Sequence, residues 1–177
     1  MPKIDRNKIE PYERAVYPGA LRERTAGYQK LKLSDAGGLT QFGIGEVTLE
    51  PGSSSGIYHW HSLEDEFLYV LEGELTIVEG GEVYTLGPGE SAAFKAGVEV
   101  GHTAENRSDK PVRFLELGSR IEDEICYYPG IDMRFVRSAF HLFETRDGAP
   151  HDHSKTPGSL DEADTYSNIN PTRTKHD

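Results

Sequence analysis

The stretch PGSSSGIYHWHSLEDEFLYVLEGE, residues 51–74, determines how the rest of the chain can be interpreted. His59 and His61 are separated by one residue, and on a strand such a pair points to the same face. Glu66 opens the next apolar run, so a hairpin turn of roughly four residues would fold its carboxylate back beside the two imidazoles. Imidazole and carboxylate groups are ligands for divalent metal ions. The stretch therefore predicts most of a metal site on two neighbouring strands.

Short strand-like segments separated by turn residues continue along the chain from Leu39. Gly80 and Gly81 lie between LTIVE and EVYTL, which indicates a hairpin because glycine adopts positive φ without strain. About eight such segments at regular intervals are typical of an antiparallel sandwich or barrel, so we predict an all-β fold. The run from Glu66 to Leu71 has apolar residues on both faces, and we expect both faces to be covered.

The composition restricts the possible partners and the location of the protein. The 177 residues include 30 acidic and 19 basic side chains, and the formal net charge is −11. This charge repels nucleic-acid phosphates and anionic membranes, so we expect neither as a partner. Cys126 is the only cysteine, which excludes an intrachain disulfide and fits a reducing compartment. The charged N-terminus has no apolar signal region, and no apolar run approaches the roughly 20 residues that span a bilayer. We therefore expect a cytoplasmic protein.

The chain divides into three predicted segments. Residues 1–38 lack strand alternation and are interrupted by proline and glycine, which indicates an irregular N-terminal arm. Residues 39–150 are expected to form the β-barrel with a C-terminal extension, which begins past Gly118 and returns over the barrel. Residues 151–177 are polar and poor in core residues, as is typical of a disordered tail.

Other residues could complete the metal site or compete for a place in it. His102, within GHTAEN, is the candidate for a ligand from a second hairpin. Glu64 and Asp65 are alternatives to Glu66, which is favoured because it heads the apolar strand. Turn positions are more often solvated.

Several remaining residues carry weaker signals. His151-Asp152-His153 repeats the spacing of the first histidine pair, but in a polar segment without a strand pattern, which favours a solvated role. His141 and His176 have no supporting context. The candidates for lining a pocket are Phe94, Phe114 and Glu116.

The motifs of this chain resemble those of the cupin superfamily. The first cupin motif, G-x5-H-x-H-x3,4-E-x6-G, is matched at its last four positions, whereas Gly52 lies one position too early for the leading glycine. The second, G-x5-P-x-G-x2-H-x3-N, is matched with two departures: Lys95 replaces the proline, and the spacing before the histidine is longer. The matching residues are His59, His61, Glu66 and Gly73 in the first motif, and Gly89, Gly97, His102 and Asn106 in the second. The resemblance covers about Thr40 to Gly118.

The resemblance implies a jelly-roll barrel, also called a double-stranded β-helix, with a metal centre of three histidines and one glutamate. These ligands are His59, His61, Glu66 and His102. Such a donor set suits Fe, Mn, Ni, Zn, Co or Cu and leaves positions open for a small molecule. The implied function is a metal-dependent enzyme that acts on a small oxygenated metabolite, of the isomerase, lyase or dioxygenase type. An isomerase would need a nearby base, for which Glu116 is a candidate.

Two other classes of function remain open at this point. One is a non-catalytic module that binds a sugar or another metabolite, and the other is a storage or structural protein, which the intact ligand set disfavours. Extensions past the barrel often complete a cupin dimer, so we expect a homodimer. Tyr58, Trp60 and Tyr69 alternate with inward residues, and we expect them to pack between sheets or across the dimer interface.

Overall fold

The computed structural model describes residues 3–14, 16–137 and 142–158. These residues contain thirteen strands, one α-helix, α1 (Leu33–Ala36), and two 3-10 helices (Arg6–Lys8 and Gly19–Thr25). The strands are β1 (Tyr12–Glu13), β2 (Tyr28–Lys32), β3 (Phe42–Leu49), β4 (Trp60–His61), β5 (Glu66–Glu72), β6 (Leu75–Glu79), β7 (Glu82–Leu86), β8 (Ser91–Phe94), β9 (His102–Glu105), β10 (Val112–Ser119), β11 (Ile125–Tyr127), β12 (Arg134–Val136) and β13 (Leu142–Glu144).

The strands form three antiparallel sheets. The largest sheet has six strands in the order β1-β2-β3-β10-β5-β8, and a three-stranded sheet has the order β7-β6-β9. A four-stranded sheet, β13-β12-β11-β4, joins the C-terminal extension to the short strand that carries His61. In the six-stranded sheet β10 pairs with both β3 and β5, which are distant from it in sequence. This all-β arrangement confirms the predicted jelly-roll barrel.

An apolar core contains residues from both the six-stranded and the three-stranded sheet. Side chains alternate along each strand, so that Val112 and Phe114 of β10 point inward and are fully buried. The buried members of this core are Tyr28, Val47, Leu49, Leu68, Val70, Leu75, Ile77, Leu86, Ala92, Phe94, Ala104, Val112 and Phe114. A second apolar cluster lies under the C-terminal extension and consists of Tyr17, Ile57, Cys126, Tyr128, Met133 and Phe143.

Strand β5 is covered on one face only, contrary to the expectation from sequence. Leu68 and Val70 are buried, but Phe67 and Tyr69 are 38% and 39% exposed. The apolar residues on the two faces of β5 therefore belong to different surfaces. One set contributes to the core, and the other contributes to an exposed apolar face of the six-stranded sheet.

Two segments near the ligands differ from their predicted conformation. The strand predicted to carry His59 and His61 includes only Trp60 and His61, and an isolated bridge joins His59 to His102. Conversely, Tyr28–Lys32 is a regular strand paired with β3, within the segment predicted to be irregular. The inward position of the charged Lys30 interrupts the apolar alternation of that strand, which explains why the pattern did not reveal it.

The segment past Gly118 returns beside the barrel, where β11 pairs with β4. Farther on, the backbone carbonyl of His153 accepts a hydrogen bond from Gly19 N (3.2 Å). Residues 159–177 of the predicted tail lie outside the described residues, as do His141 and His176. Within the described part of the chain, no helix combines the length and the apolar character that a membrane crossing requires.

Candidate metal centre

The structure brings the four predicted ligands together. Glu66 begins β5, His61 ends β4, His102 begins β9, and His59 is bridged to His102. Glu66 Oε2 lies 2.8 Å from Nε2 of His102, 3.4 Å from Nε2 of His61 and 3.6 Å from Nε2 of His59. One carboxylate oxygen is therefore close to all three imidazoles.

These spacings fit a shared divalent ion. Bonds from nitrogen or oxygen to such an ion are about 2.1 Å long, so two ligand atoms at right angles to each other are about 3 Å apart. The three observed distances from Glu66 Oε2, between 2.8 and 3.6 Å, are close to that value. In addition, ligand atoms of His59, Glu66 and His102 all lie within 4.8 Å of one another. The donor set and its geometry therefore fit the metal that the motifs imply.

The charge states of the ligands also suit a metal ion. Burial lowers the pKa of His59 to about 4, so its imidazole is neutral at neutral pH. Burial alone would raise the pKa of Glu66, but the surrounding histidines outweigh it and hold that pKa well below its usual value. Burial acts to lower the pKa of His61, yet the carboxylates of Glu66 and Glu124 outweigh it and raise that pKa. Because metal ligands must lose their protons, protons compete with a metal at His61 more than at His59.

Glu124 orients His61, although sequence reasoning missed it. Its carboxylate is 1% exposed and lies 3.0 Å from His61 Nδ1. It also accepts hydrogen bonds from the backbone N–H groups of Ser62 (2.9 Å) and Leu63 (2.6 Å). A carboxylate behind Nδ1 fixes the ring and leaves Nε2 available to a metal. No local motif could have identified Glu124, because it lies 63 residues from His61 in the sequence and is brought beside that ring only by the pairing of β11 with β4.

The other two histidines are held by different contacts. Nδ1 of His59 lies 2.6 Å from the carbonyl oxygen of Ile57, which can only accept, so Nδ1 carries the proton and Nε2 is the potential ligand. The ring of His102 stacks on Phe94, with centroids 3.7 Å apart and planes 2° apart. Phe94, one of the predicted pocket residues, therefore packs directly against a candidate ligand.

A cleft reaches His61 and His102 from the surface. Its other lining residues are Trp60, Glu64, Glu79, Phe94, Lys95, Val98 and Val100. Trp60 is fixed by stacking on Tyr127, with ring centroids 4.4 Å apart. Apolar groups on the walls can limit the access of water to the ligands.

Cys126 lies beside the candidate centre and was not anticipated as part of it. Its sulfur and nitrogen atoms of His59 and His61 lie within 4.8 Å of one another. The residue is buried, and burial raises the pKa of its thiol well above the usual value, so the thiol is protonated. Cys126 lies there because it is opposite His61 in the pairing of β11 with β4. The spacing of residues in the sequence does not reveal this strand pairing.

The two alternatives to Glu66 have other partners. Asp65 Oδ1 accepts a hydrogen bond from the backbone N–H of Ala96 (2.8 Å). Glu64 accepts one from a backbone N–H (2.8 Å) and pairs with Arg137. Of the three adjacent carboxylates, Glu66 is the one that contacts the imidazoles.

Glu116, the candidate base, lies on the same inward face as Glu66 and is its diagonal neighbour in the β10–β5 pair. Its carboxylate accepts hydrogen bonds from Lys30 Nζ (2.7 Å), Tyr28 OH (3.1 Å) and Arg14 Nη2 (3.4 Å). Burial would raise the pKa of Glu116, but Lys30 and Arg14 outweigh this effect and lower it. The carboxylate is therefore ionised and surrounded by donors.

Comparisons with known proteins agree with this architecture. A family model described as a cupin domain matches residues 45–118. The crystal structure of a sugar phosphate isomerase of the cupin superfamily from Silicibacter pomeroyi is similar with a TM-score of 0.81 and 42% identity, over 85% of this chain and 97% of that chain. The structure of the polyketide cyclase RemF from Streptomyces resistomycificus is similar with a TM-score of 0.55 and 25% identity, over 67% of this chain and 79% of that chain.

One curated relative was also found. The tetracenomycin polyketide synthase protein TcmJ from Streptomyces glaucescens is 34% identical over 78 residues, which is 44% of this chain. The match spans 50% of the length of that relative. Motifs, barrel and similarity to solved structures lead to the same class of protein. The chain belongs to the cupin superfamily.

Proposed function

We propose that the protein is a metal-dependent isomerase that acts on a sugar phosphate. The observation that carries this proposal is the convergence of three imidazole nitrogens within 3.6 Å of Glu66 Oε2. The likeness to the isomerase from Silicibacter pomeroyi, which extends over 97% of that chain, supports the choice of reaction. The fold alone would not support this choice, because barrels of the cupin type catalyse different reactions.

The proposed centre would hold the metal through Nε2 of His59, His61 and His102 and through the carboxylate of Glu66. A bound divalent ion would supply Lewis-acid polarisation of a substrate carbonyl oxygen. Glu124 keeps Nε2 of His61 directed at the centre, and Phe94 restricts rotation of the His102 ring. The donor set of three nitrogens and one carboxylate admits Fe, Mn, Ni, Zn, Co or Cu.

Glu116 is better suited to hold cations in place than to act as the isomerase base. A base must accept a proton from the substrate, and its efficiency falls as its pKa falls below the working pH. The pKa of Glu116 is lowered, and its oxygens already accept hydrogen bonds from Lys30 and Tyr28. We therefore propose a positioning role for this carboxylate.

The proposed function is tested by metal analysis and an isomerisation assay on the same preparations. The double variant His59→Ala with His61→Ala should lose bound metal and aldose–ketose interconversion of sugar phosphates. His153→Ala is the matched control, since that histidine belongs to the second His-x-His and its ring packs on Phe143 with centroids 5.6 Å apart. The control should keep both properties.

Two outcomes would reject different parts of this proposal. Unchanged metal content in the double variant would reject the metal centre. Metal binding without turnover of any sugar phosphate would reject the isomerase and favour the alternative, a non-catalytic module that binds sugars or metabolites. The similarity to TcmJ and RemF makes a polyketide the second substrate class to assay, and the aromatic side chains of Trp60 and Phe94 in the cleft favour it.

We further propose a homodimer that forms through the outer face of the six-stranded sheet. Phe42, Phe67 and Tyr69 are exposed on this face by 41%, 38% and 39%. The strand pairing places Leu117 between Ile44 and Phe67, so the apolar surface is continuous. Exposed apolar surfaces of this kind are typical of protein interfaces, and a second copy offers the same flat apolar face.

Light scattering tests the dimer. Phe67→Lys should convert a dimeric protein into monomers, because it would place a charge within the apolar interface. Val83→Lys, at a site that is 54% exposed on β7, should remain dimeric. A monomeric parent protein, or a Phe67→Lys variant that remains a dimer, would reject the interface.

The predicted cytoplasmic location stays a prediction, which cell fractionation can check.

A further inference from the structure

Two cationic side chains reach the inner wall of the barrel beside the candidate metal centre. Lys30 belongs to β2, and Arg14 follows β1 directly. Lys30 Nζ lies 2.7 Å and Arg14 Nη2 lies 3.4 Å from Glu116 Oε1. Their side chains are 18% and 21% exposed, so both retain contact with solvent.

The cations are close to the candidate ligands. A Cβ atom built on Gly56 would lie 3.3 Å from Arg14 Nη1 and 3.5 Å from His59 Cε1, so these two side chains approach each other across a glycine. Gly118 lies opposite Glu66, and a Cβ atom built there would meet no atom closer than 3.6 Å. At Gly118 the missing side chain therefore leaves space beside the side chain of Glu66.

This group of side chains carries a net positive charge within an acidic protein. Lys30 and Arg14 are both paired with Glu116, and within the described part of the chain neither forms an ion pair with another acid. Tyr28, which touches the same carboxylate, is neutral because burial raises its pKa well above the usual value. With a formal charge of −11 on the whole chain, this local excess of positive charge favours an anionic ligand at this position.

Lys30 has more free hydrogen-bonding capacity than Arg14. Arg14 donates to Ser55 O (2.6 Å) and to Tyr28 OH (3.0 Å), and its guanidinium lies 4.3 Å from the centre of the Tyr28 ring. The Lys30 ammonium has three donors, and Glu116 is its hydrogen-bond acceptor among the described residues. Two donors of Lys30 can therefore turn towards an oxyanion.

We propose that Lys30, flanked by Arg14, binds the phosphate group of the substrate while the sugar reaches His59 and Glu66. A lysine ammonium binds phosphate as a point charge and needs no fixed planar geometry. Glu116 is the positioning residue that holds both cations, and its negative charge limits the affinity for phosphate. The inference rests on the proposed isomerase function and adds a phosphomonoester site formed by residues outside the two cupin motifs.

The test is a calorimetric titration of the metal-loaded full chain with inorganic phosphate, in the absence of turnover. Lys30→Met preserves most of the side-chain length and removes the charge, so phosphate affinity should fall about tenfold or more. Glu116→Gln keeps both cations and removes the opposing charge, so phosphate should bind severalfold more tightly. If Lys30, Arg14 and Glu116 only stabilise the fold, phosphate binding in Glu116→Gln should be weaker or unchanged.

Lys8→Met is the matched control, because the Lys8 side chain is 83% exposed and pairs with Asp5. Its phosphate affinity should equal that of the parent. Unchanged phosphate affinity in Lys30→Met, or a loss in Lys8→Met as large as that in Lys30→Met, would overturn the proposal. So would weakened phosphate binding in a Glu116→Gln variant that circular dichroism shows to be fully folded at the temperature of the titration. If no sugar phosphate is turned over while phosphate affinity still depends on Lys30, the isomerase is rejected and the phosphate site stands.

Discussion

Each of the three candidate histidine ligands is oriented by a contact with a neighbouring group. A backbone carbonyl lies behind His59, the Glu124 carboxylate lies behind His61, and the Phe94 ring lies against His102. Rings that are already fixed lose less conformational freedom when a ligand binds. The affinity of the centre therefore depends on residues that never touch the ion.

A substitution of Glu124 can measure how much the metal affinity depends on a residue outside the ligand set. Glu124→Gln keeps the size of the side chain but removes the negative charge behind His61 Nδ1. We expect metal affinity to fall about 10- to 100-fold, as is usual when such a supporting carboxylate is changed. Competition with a chelating dye measures the affinity. Glu122→Gln, at an exposed position of the same loop, should bind metal like the parent. Equal affinities for both variants would contradict the role assigned to Glu124.

At the scale of elements, β10 connects the core to the candidate site. Its inward side chains change along the strand from the fully buried Val112 and Phe114 to the charged Glu116 and then to Gly118, opposite Glu66. One end of the strand therefore lies in the apolar core, and the other lies beside the candidate metal centre. Substitutions at the apolar end should lower the stability of the fold without changing any of the candidate ligands.

Phe114→Ala is expected to lower the free energy of unfolding by about 3–5 kcal/mol, because it removes a fully buried aromatic ring and leaves a cavity. Urea denaturation monitored by circular dichroism measures the change. Val83→Ala, at a position that is 54% exposed, should change it by less than about 1 kcal/mol. A small loss for Phe114→Ala would mean that the core described around it is not formed.

Local signals in the sequence predicted the central strands and the four side chains that converge at the candidate centre, whereas they did not reveal the pairing of strands that are distant in sequence. Gly80 and Gly81 have φ values of +58° and +86°, as the predicted hairpin between β6 and β7 requires. Glu124 could not be identified, because its role depends on β11 lying beside β4. The exposed face of β5 was also missed. An apolar run does not reveal whether a second sheet or solvent covers each of its faces.

For the molecule as a whole, buried carboxylates contribute to stability while they remain ionised. Glu66, Glu116 and Glu124 each have a pKa below the usual value, because burial is outweighed by histidines, by cations or by hydrogen-bond donors. A group with a lowered folded-state pKa stabilises the fold above its unfolded-state pKa and loses this contribution as the pH falls. The metal-free protein should therefore lose stability in acid.

Glu116→Gln isolates one part of this acid sensitivity. The unfolded-state pKa is near 4.5 and the folded-state pKa is lower, so the stabilising contribution is complete above pH 4.5 and is lost as the pH falls through the folded-state value. At neutral pH the metal-free parent should exceed the variant by about 1–2 kcal/mol in the free energy of unfolding. Urea titrations should show this difference shrinking as the pH falls below 4.5. A difference that is independent of pH would contradict the ion pairing of Glu116.

The contact between Gly19 and residues 153–156 has a consequence for experiments on shortened chains. Ala20 N donates to Thr156 Oγ1 (2.9 Å), and a Cβ atom built on Gly19 would lie 2.4 Å from Thr156 N. Cleavage before residue 151 would remove this contact and uncover the segment around Gly19 and Ala20. A preparation shortened in this way should keep the four candidate ligands and the apolar core, while proteases gain access to the chain near Gly19.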